Sequence, residues 1–517
     1  MASNKPNVIL VYADDLGHGM LSCYGQKQFR TPHIDALAEN GLRFVNAHGC
    51  HMCAPARASL LCGIHDCHSG GWSFTKAGIY EEYARNERTL PEIYELLHNT
   101  GITQRSGDLY LPMVFAQNGY VTGQIGKLEW GFSATGDEIR AHGWDYHYGY
   151  YDHGMCHGYY PPFVFENGKR VDIPGNTHAD CGKGPGFFAR DYQERKRDKS
   201  GKAVYSQDLY DEKIAAFLEA HRDEPFFLYH PSQLPHHDLS IPAIDPAVAE
   251  NPALNDSEKE YASMVLRLDK TVGLIVQTLK RLELYDNTIV VFSSDNGHFC
   301  YYAQERTGVS ASQTAEGAFY DHLHTRCTSD AAGDIFDGNG GLTGCKLTSL
   351  EGGTRVPLIY SCPARIPGGR TSERLVAGYD FMPTMAELSG GCDLWNPQVK
   401  DGLSYRSELT AGAANAAHGY IVFAGEHGPA ILTADGWKLR SWIPQDFRFG
   451  VFGGSLAKEG RDIRFELYHI PTDEREETNL YEAQPERAAK LLRLLLKECD
   501  GNLQNGTTQA HFAFTAG

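Results

Sequence analysis

The chain has 517 residues, of which 42% are hydrophobic and 22% charged, as is usual for a soluble globular enzyme. It is long for a single core, so we expect a large domain followed by a smaller one. The formal net charge of −18, with no long block of like charge, argues against nucleic acid or an anionic membrane as a partner. It argues more weakly against long polysulfated polymers.

Cysteine usage and the N-terminal residues bear on location. Thirteen cysteines, an odd number scattered along the chain, fit a reducing compartment better than a disulfide framework. The N-terminal residues lack the features of a secretory signal, and no apolar run is long enough to span a membrane. We therefore expect a cytoplasmic protein, unless a signal has been removed.

The first predicted element is a strand. Residues 7–12 form a short continuous apolar run, typical of a strand buried on both faces of a parallel sheet. Asp14 and Asp15 follow it, and open α/β sheets place their sites at the carboxyl ends of such strands. The alternative is that they are solvated loop acids or a helix cap. Thr31 and Pro32 then predict the start of a helix.

The next segment, residues 48–67, contains Cys53, Pro55 and Arg57. Pro55 favours an extended conformation for the residue before it, which predicts Cys53 on a turn ahead of a helix that starts near residue 56. A nucleophile there would face unpaired N–H groups and the positive end of the helix dipole, which suits an anionic reactant. Arg57 adds a forked cationic donor set.

A zinc site is the weaker alternative for this segment. Cys50-x-x-Cys53, with Cys62 and Cys67, could supply four thiolates. The spacings are irregular, however, and a zinc site would leave the proline and the arginine unexplained.

Three further predicted strands end in residues able to do chemistry. The strand within 119–126 leads to Lys127, the strand 226–229 leads to His236 and His237, and the strand 288–292 leads to Asp295 and Asn296. Together with the two aspartates after the first strand, Asp295 and the Asn296 carbonyl make a hard oxygen set. Such a set suits Ca²⁺ or Mg²⁺ better than zinc.

Between these strands the pattern predicts helices at 89–97, 112–117 and 205–221, and a long amphipathic helix to residue 282. We expect Ser257 and Glu260 to form the capping box of the long helix. Residues 142–162 are dense in aromatic side chains and histidines. They could equally line a substrate pocket or be a packed surface loop.

The character of the sequence changes after residue 391. Residues 420–424, 430–433 and 437–442 read as antiparallel strands, the last two joined by a turn at Asp435-Gly436, and 485–499 as a helix. We therefore predict a catalytic domain over 1–391 and a smaller α+β domain over 392–517. The fold class is α/β, with a large, mostly parallel mixed sheet between helices.

Several of these segments resemble one known family. The run Cys53-Ala-Pro-Ala-Arg57, with a Leu-x-Gly-like tail, resembles the signature of the type I sulfatases of the alkaline phosphatase superfamily. Other segments resemble later motifs of that family, and they occur in the family order: Gly126–Gly131, Pro235-His236, Asp295–His298, Lys346–Pro357 and Asp380–Thr384.

The resemblance implies an alkaline phosphatase-like fold and a set of site residues. Cys53 would be converted to formylglycine, whose hydrate is the nucleophile, by a formylglycine-generating or radical maturase. Asp14, Asp15, Asp295, Asn296 and residue 53 would hold Ca²⁺, with Mg²⁺ possible. Arg57, Lys127 and Lys346 would stabilise the sulfate group, and His236 or Lys346 would protonate the leaving oxygen; His237 is the fallback.

The chain also departs from the family pattern. Glu129 stands where the family usually has a histidine that bonds the formylglycine hydroxyl, so either Glu129 or a histidine from elsewhere would be the base. Leu347 replaces a common glycine, and the resemblance gives Glu351 and Arg355 a structural role.

The function implied is hydrolysis of a small aryl, steroid or sugar sulfate to an alcohol and inorganic sulfate. Two alternatives stay open. One is a phosphonate monoester or phosphodiester hydrolase of the same superfamily. The other is a non-catalytic binder of sulfated ligands, if Cys53 is never converted.

Overall fold

The computed structural model describes residues 5–69, 78–100, 109–128, 133–177, 180, 182, 192–303, 321–322, 325–326, 333–391, 401–410, 414–443 and 463–507. Within these ranges the strands, in chain order, are β1 Asn7–Ala13, β2 Gly41–Phe44, β3 Ala47–His48, β4 Val121–Gly126, β5 Tyr146–Gly149, β6 Phe163–Glu166, β7 Lys169–Asp172, β8 Phe226–Pro231, β9 Thr288–Ser294, β10 Asp321–His322, β11 Thr325–Arg326, β12 Leu358–Ser361, β13 Arg370–Ser372, β14 Val376–Ala377, β15 Tyr420–Phe423, β16 Ala430–Thr433, β17 Trp437–Trp442 and β18 Arg464–His469.

The α-helices of the same ranges are α1 Pro32–Glu39, α2 Cys53–Cys62, α3 Ile79–Ala84, α4 Leu90–Thr100, α5 Leu111–Gln117, α6 Gly136–Ala141, α7 Tyr192–Arg197, α8 Ser206–Ala220, α9 Pro246–Ala249, α10 Asp256–Arg281, α11 Glu351–Thr354, α12 Phe381–Ser389, α13 Arg406–Leu409 and α14 Pro485–Glu498. None of the described helices combines the length and the apolarity needed to cross a membrane.

A large mixed sheet dominates the described part of the chain, as predicted. Its ten strands run in the order β13-β2-β12-β9-β1-β8-β4-β5-β6-β7. The central strands β9, β1, β8, β4 and β5 are parallel neighbours, whereas β12 is antiparallel to both of its neighbours. Every residue of β1 is buried, which explains why its sequence is continuously apolar rather than alternating.

The C-terminal part carries a second, antiparallel sheet in the order β15-β16-β17-β18. Helix α14 covers it with Ala488, Leu491 and Leu495, which are almost completely buried. The turn at Asp435-Gly436 joins β16 to β17 as expected, with Gly436 at a φ of 83°. The placement of a domain boundary between residues 391 and 392 stays a prediction.

Two local predictions were wrong. The long helix α10 begins at Asp256, and its capping box consists of Asn255 and Glu258 rather than Ser257 and Glu260. Both pairs have the required spacing, and asparagine and serine are comparable N-cap residues, so local preference does not distinguish them. Residues 142–162 do not form a single loop, because they contain strand β5 and a 3-10 turn at Met155–His157, in which Met155 and Cys156 are buried.

Candidate active site

The two acidic strand ends meet at one edge of the sheet. Strands β1 and β9 pair in parallel up to Ala13 and Ser294, so the residues that follow them lie side by side. The Asp15 amide donates to Asp295 Oδ1 at 3.1 Å, and Asn296 Nδ2 donates to Asp15 Oδ1 at 2.9 Å. The sheet therefore brings together Asp14, Asp15, Asp295 and Asn296, all of them buried, as the sequence predicted.

This cluster has the properties of a site for a hard cation. Within the described residues, the buried oxygens Asp14 Oδ1 and Asn296 Oδ1 have no hydrogen-bond partner. Ligand atoms of Asp14, Cys53 and Asp295 lie within 4.8 Å of one another. Burial, together with the charge of Asp14, raises the pKa of Asp295 to about 7. A divalent cation would occupy the free oxygens and offset the repulsion, so the residues present fit such a group.

Cys53 is the first residue of helix α2, with Met52 as the N-cap. The prediction that Pro55 keeps Ala54 extended was wrong, because Ala54 is already helical. Pro55 is the third helical residue, where its missing N–H costs no intrahelical hydrogen bond. The helix therefore starts at Cys53, about three residues earlier than predicted, so Cys53 lies in its first turn rather than on a turn ahead of it. The side chain is buried at 4% exposure.

Two glycines allow backbone segments to approach the site closely. A Cβ on Gly49 would lie 2.2 Å from the Asp295 carbonyl oxygen, to which the Cys50 amide donates at 3.1 Å. Gly126 has a φ of 139°, and a Cβ there would lie 2.4 Å from the Pro231 carbonyl oxygen. Glycine at these positions therefore lets the chain before Cys53 and the end of β4 pack against the strand ends.

Three buried cations surround the carboxylates. Arg57 Nη2 donates to Asp295 Oδ2 at 2.9 Å and lies 3.6 Å from Asp14 Oδ2. Lys127 Nζ donates to Asp14 Oδ2, and Lys346 Nζ lies 2.7 Å from Asp15 Oδ1. Although burial alone would raise it, Lys127 and Arg57 hold the pKa of Asp14 well below its usual range. The site is thus an alternating array of opposite charges, excluded from solvent.

The structure also distinguishes between the two candidate histidines after β8. His236 Nε2 lies 3.4 Å from Asp15 Oδ2 and 3.3 Å from Lys346 Nζ, and its Nδ1 bonds the His237 carbonyl oxygen. His237 instead lies beside Asp238, at 2.8 Å. The geometry therefore places His236 in the site and leaves the fallback residue outside it.

One functional residue was not identified from the sequence. His153 Nε2 lies 3.1 Å from Cys53 Sγ, the atom that marks where the side chain of a modified residue 53 would be. His153 comes from the histidine-rich segment after β5, whose carboxyl end lies at the same sheet edge as that of β4. That topology, together with the missing histidine at position 129, could have identified it. Glu129 lies outside the described residues.

Electrostatics favour a neutral His153 and a protonated thiol. Burial, assisted by Lys127, lowers the pKa of His153 well below its usual value. Burial raises the pKa of the Cys53 thiol despite the neighbouring lysines. An unmodified Cys53 would therefore be a poor nucleophile at neutral pH, and the imidazole beside it is uncharged, with its affinity for a proton lowered by the same burial.

The zinc alternative is not supported. Cys50, Cys53, Cys62 and Cys67 all lie in the described ranges, but they are not gathered around a common point. No disulfide joins the ten cysteines of the described part.

A nucleophile position enclosed by buried cations and a carboxylate cluster, at the edge of an α/β sheet, defines an enzyme that acts on an ester of a tetrahedral oxyanion. Comparison with known protein families then identifies the class of enzyme. Residues 6–391 match the model of the sulfatase family, so the chain belongs to that family. It is a type I sulfatase of the alkaline phosphatase superfamily and hydrolyses sulfate esters.

Relatives of known function cover most of the chain. An N-acetylgalactosamine-6-O-sulfatase of Bacteroides thetaiotaomicron is 26% identical over 95% of this chain and 93% of its own length. Human arylsulfatase A is 28% identical over 75% of this chain and 65% of its own length. A solved structure of a protein in complex with its substrate D-glucosamine-2-N,6-O-disulfate has a TM-score of 0.61 and 18% identity, and covers 97% of this chain and 99% of its own.

Proposed function

We propose that the enzyme releases sulfate from a small sulfated sugar, by means of a formylglycine made from Cys53 and a bound Ca²⁺. The observation that carries the proposal is the meeting of residue 53 with the carboxylate cluster, the three cations and two histidines in one buried site. The sugar is supported by the 6-O-sulfatase relative and by the sugar complex of the structural neighbour. The net charge of −18 favours a small substrate over a polysulfated polymer.

The proposal gives separate chemical roles to the formylglycine and to the divalent cation. A formylglycine hydrate supplies the hydroxyl that attacks sulfur, and a divalent cation makes such a hydroxyl more acidic. Calcium is supported by the oxygen-rich donor set of Asp14, Asp15, Asp295 and Asn296.

Because the folded chain buries residue 53, we propose that a maturase acts on Cys53 before folding is complete. The odd number of 13 cysteines, scattered along the chain, supports a cytoplasmic location.

The protein's own side chains bind the sulfate and move the protons. Arg57, Lys127 and Lys346 place fixed positive charges around the sulfuryl oxygens without needing to reorganise. His153, held neutral, accepts the proton from residue 53. On the other side of the site, His236 and Lys346 share a hydrogen bond of 3.3 Å, and this pair protonates the leaving oxygen of the alcohol.

Turnover of matched esters tests the proposed substrate class. We expect kcat/KM for a 6-O-sulfated amino sugar to exceed that for 4-nitrophenyl sulfate, since the sugar forms additional contacts in the transition state. Phosphate esters of the same alcohols should be turned over at least about 10²-fold more slowly, a difference of roughly 3 kcal/mol in transition-state stabilisation. Higher turnover of the phosphate or phosphonate esters on the same preparation would contradict the proposal.

The role of His153 can be tested by a substitution in the same segment. We expect His153→Ala to lower kcat by about 10²–10³-fold with a smaller change in KM, because general base catalysis contributes at this level. His147→Ala is the matched control, since His147 is equally buried but packs against Tyr151 rather than Cys53. Equal losses of kcat in both variants would show that His153 acts only through folding.

A further inference from the structure

A second cluster of metal-ligating side chains lies outside the active site. His65 and His68 follow helix α2 with three-residue spacing, and their rings stack at 4.0 Å with an interplanar angle of 12°. Ligand atoms of His65, His68 and Asp401 lie within 4.8 Å of one another. Glu498, at the end of α14, approaches the same point, with Oε2 3.4 Å from His65 Nε2. None of these residues belongs to the catalytic set.

The separations match a small tetrahedral site. Bonds of about 2.0–2.2 Å to zinc place neighbouring ligand atoms roughly 3.3–3.5 Å apart. His68 Nε2 lies 3.1 Å from Asp401 Oδ2, and His65 Nε2 lies 3.7 Å from the same oxygen. Small movements would therefore bring these atoms to coordination distances. Two imidazoles with carboxylates are a donor set typical of zinc and unlike the all-oxygen set of the active site.

The surrounding groups hold the ligands in place. Asp500 Oδ2 lies 3.5 Å from His68 Nδ1, the arrangement of a carboxylate behind a metal-binding histidine. The His65 amide donates to Asp401 at 2.9 Å, and the Tyr420 hydroxyl donates to Glu498 at 2.8 Å. These contacts fix the carboxylates before any cation is bound.

The charge balance of the cluster leaves room for a cation when the histidines are neutral. Three carboxylates, those of Asp401, Glu498 and Asp500, face two imidazoles and the ammonium of Lys497, which lies 3.0 Å from Glu498 Oε1. The cluster is therefore balanced with both histidines protonated and negative with both neutral, the state in which imidazoles bind a metal. One contact opposes binding: His65 Nδ1 accepts a long hydrogen bond of 3.3 Å from the Cys67 amide. That bond has to open when the ring proton moves to Nδ1.

We propose that His65, His68 and Asp401, with Glu498 as the fourth ligand, bind a zinc-type divalent cation. The cation joins three segments distant in sequence: the chain after the nucleophile helix, the segment at residue 401 and the end of α14. It is a structural site, because its ligands are supplied by the protein and it shares none with the catalytic cluster. The proposal does not depend on the identity of the substrate.

Zinc titration of the full-length enzyme, saturated beforehand with Ca²⁺, tests the proposal. We expect one additional equivalent of zinc by elemental mass spectrometry, with a rise in the thermal midpoint. His68→Gln and Asp401→Asn should each weaken this binding by about 100-fold or more. His418→Gln is the matched control, because it removes a histidine bonded to Asp380 and leaves the cluster intact. Wild-type protein that takes up no additional zinc would overturn the proposal.

A second variant separates metal binding from a simple ion-pair cluster. His68→Lys keeps a positive charge between Asp401 and Asp500 but cannot replace the imidazole ligand. We expect this variant to lose the additional zinc and the zinc-dependent rise in thermal midpoint. If His68→Lys takes up as much zinc as the wild type, His68 is not a ligand and the proposed site is wrong.

Discussion

Replacing Cys53 by alanine is expected to lower kcat/KM for a sulfate ester by about 10⁴-fold or more, since no other group in the site can replace the nucleophile. Binding of the sulfate product should change little, because Arg57, Lys127 and Lys346 stay in place. Steady-state turnover and equilibrium dialysis with inorganic sulfate measure the two effects separately. The loss of kcat/KM would therefore reflect the missing chemical step rather than weaker binding of the sulfate group.

The control for this substitution lies on the same helix. Cys62→Ala removes an equally buried thiol from α2 without touching the carboxylate cluster. It should keep kcat/KM within about threefold of the wild type, with at most the cost in stability of a small buried cavity. A Cys53→Ala variant that retains turnover within tenfold of the Cys62→Ala variant would show that residue 53 is not the nucleophile.

Removal of the divalent cation is expected to have the second largest effect. A chelated enzyme should lose about 10³-fold in kcat, because a catalytic cation contributes several kcal/mol to charge stabilisation in the transition state. Asp14→Asn should have a similar effect without chelation. It removes a ligand charge and leaves Lys127 and Arg57 without their shared carboxylate. Readdition of Ca²⁺ should restore the chelated wild type but not the variant.

Asp269→Asn is the matched control for the aspartate substitution. Asp269 is also buried, but it accepts hydrogen bonds from the amides of His33 and Ile34 at the start of α1. Its pKa is raised to about 7, mainly by burial, so loss of its charge should matter less than loss of the Asp14 charge. Full activity after exhaustive chelation would contradict the assignment of a catalytic cation.

The sequence was most informative where one physical constraint dominates. Strands β1 and β9 are fully buried between helices, so their apolar runs are continuous and their carboxyl ends are forced to one sheet edge. The meeting of Asp14 and Asp295 could therefore be predicted without coordinates. The same reasoning placed Lys127 and His236 at that edge.

The sequence was less informative where two alternative local structures, or two candidate residues, differ little in free energy. Asn255-Glu258 and Ser257-Glu260 have the same capping spacing, and tertiary packing decides between them. The sequence pattern alone did not distinguish His153 from the other histidines of its aromatic segment; its position after β5 and the missing histidine at position 129 were the signals that could have identified it. Leu347 has a φ of 80°, a strained value for leucine, at the position where the family has a common glycine. Only the surrounding structure explains why such a residue is held there.

The most direct measurement is the mass of the peptide that contains residue 53, taken from active enzyme purified from its native host. The account predicts a species lighter than the cysteine peptide by the difference between a thiol and an aldehyde, in an amount that scales with specific activity across preparations. A fully active preparation whose peptide carries only the unmodified thiol would contradict the account.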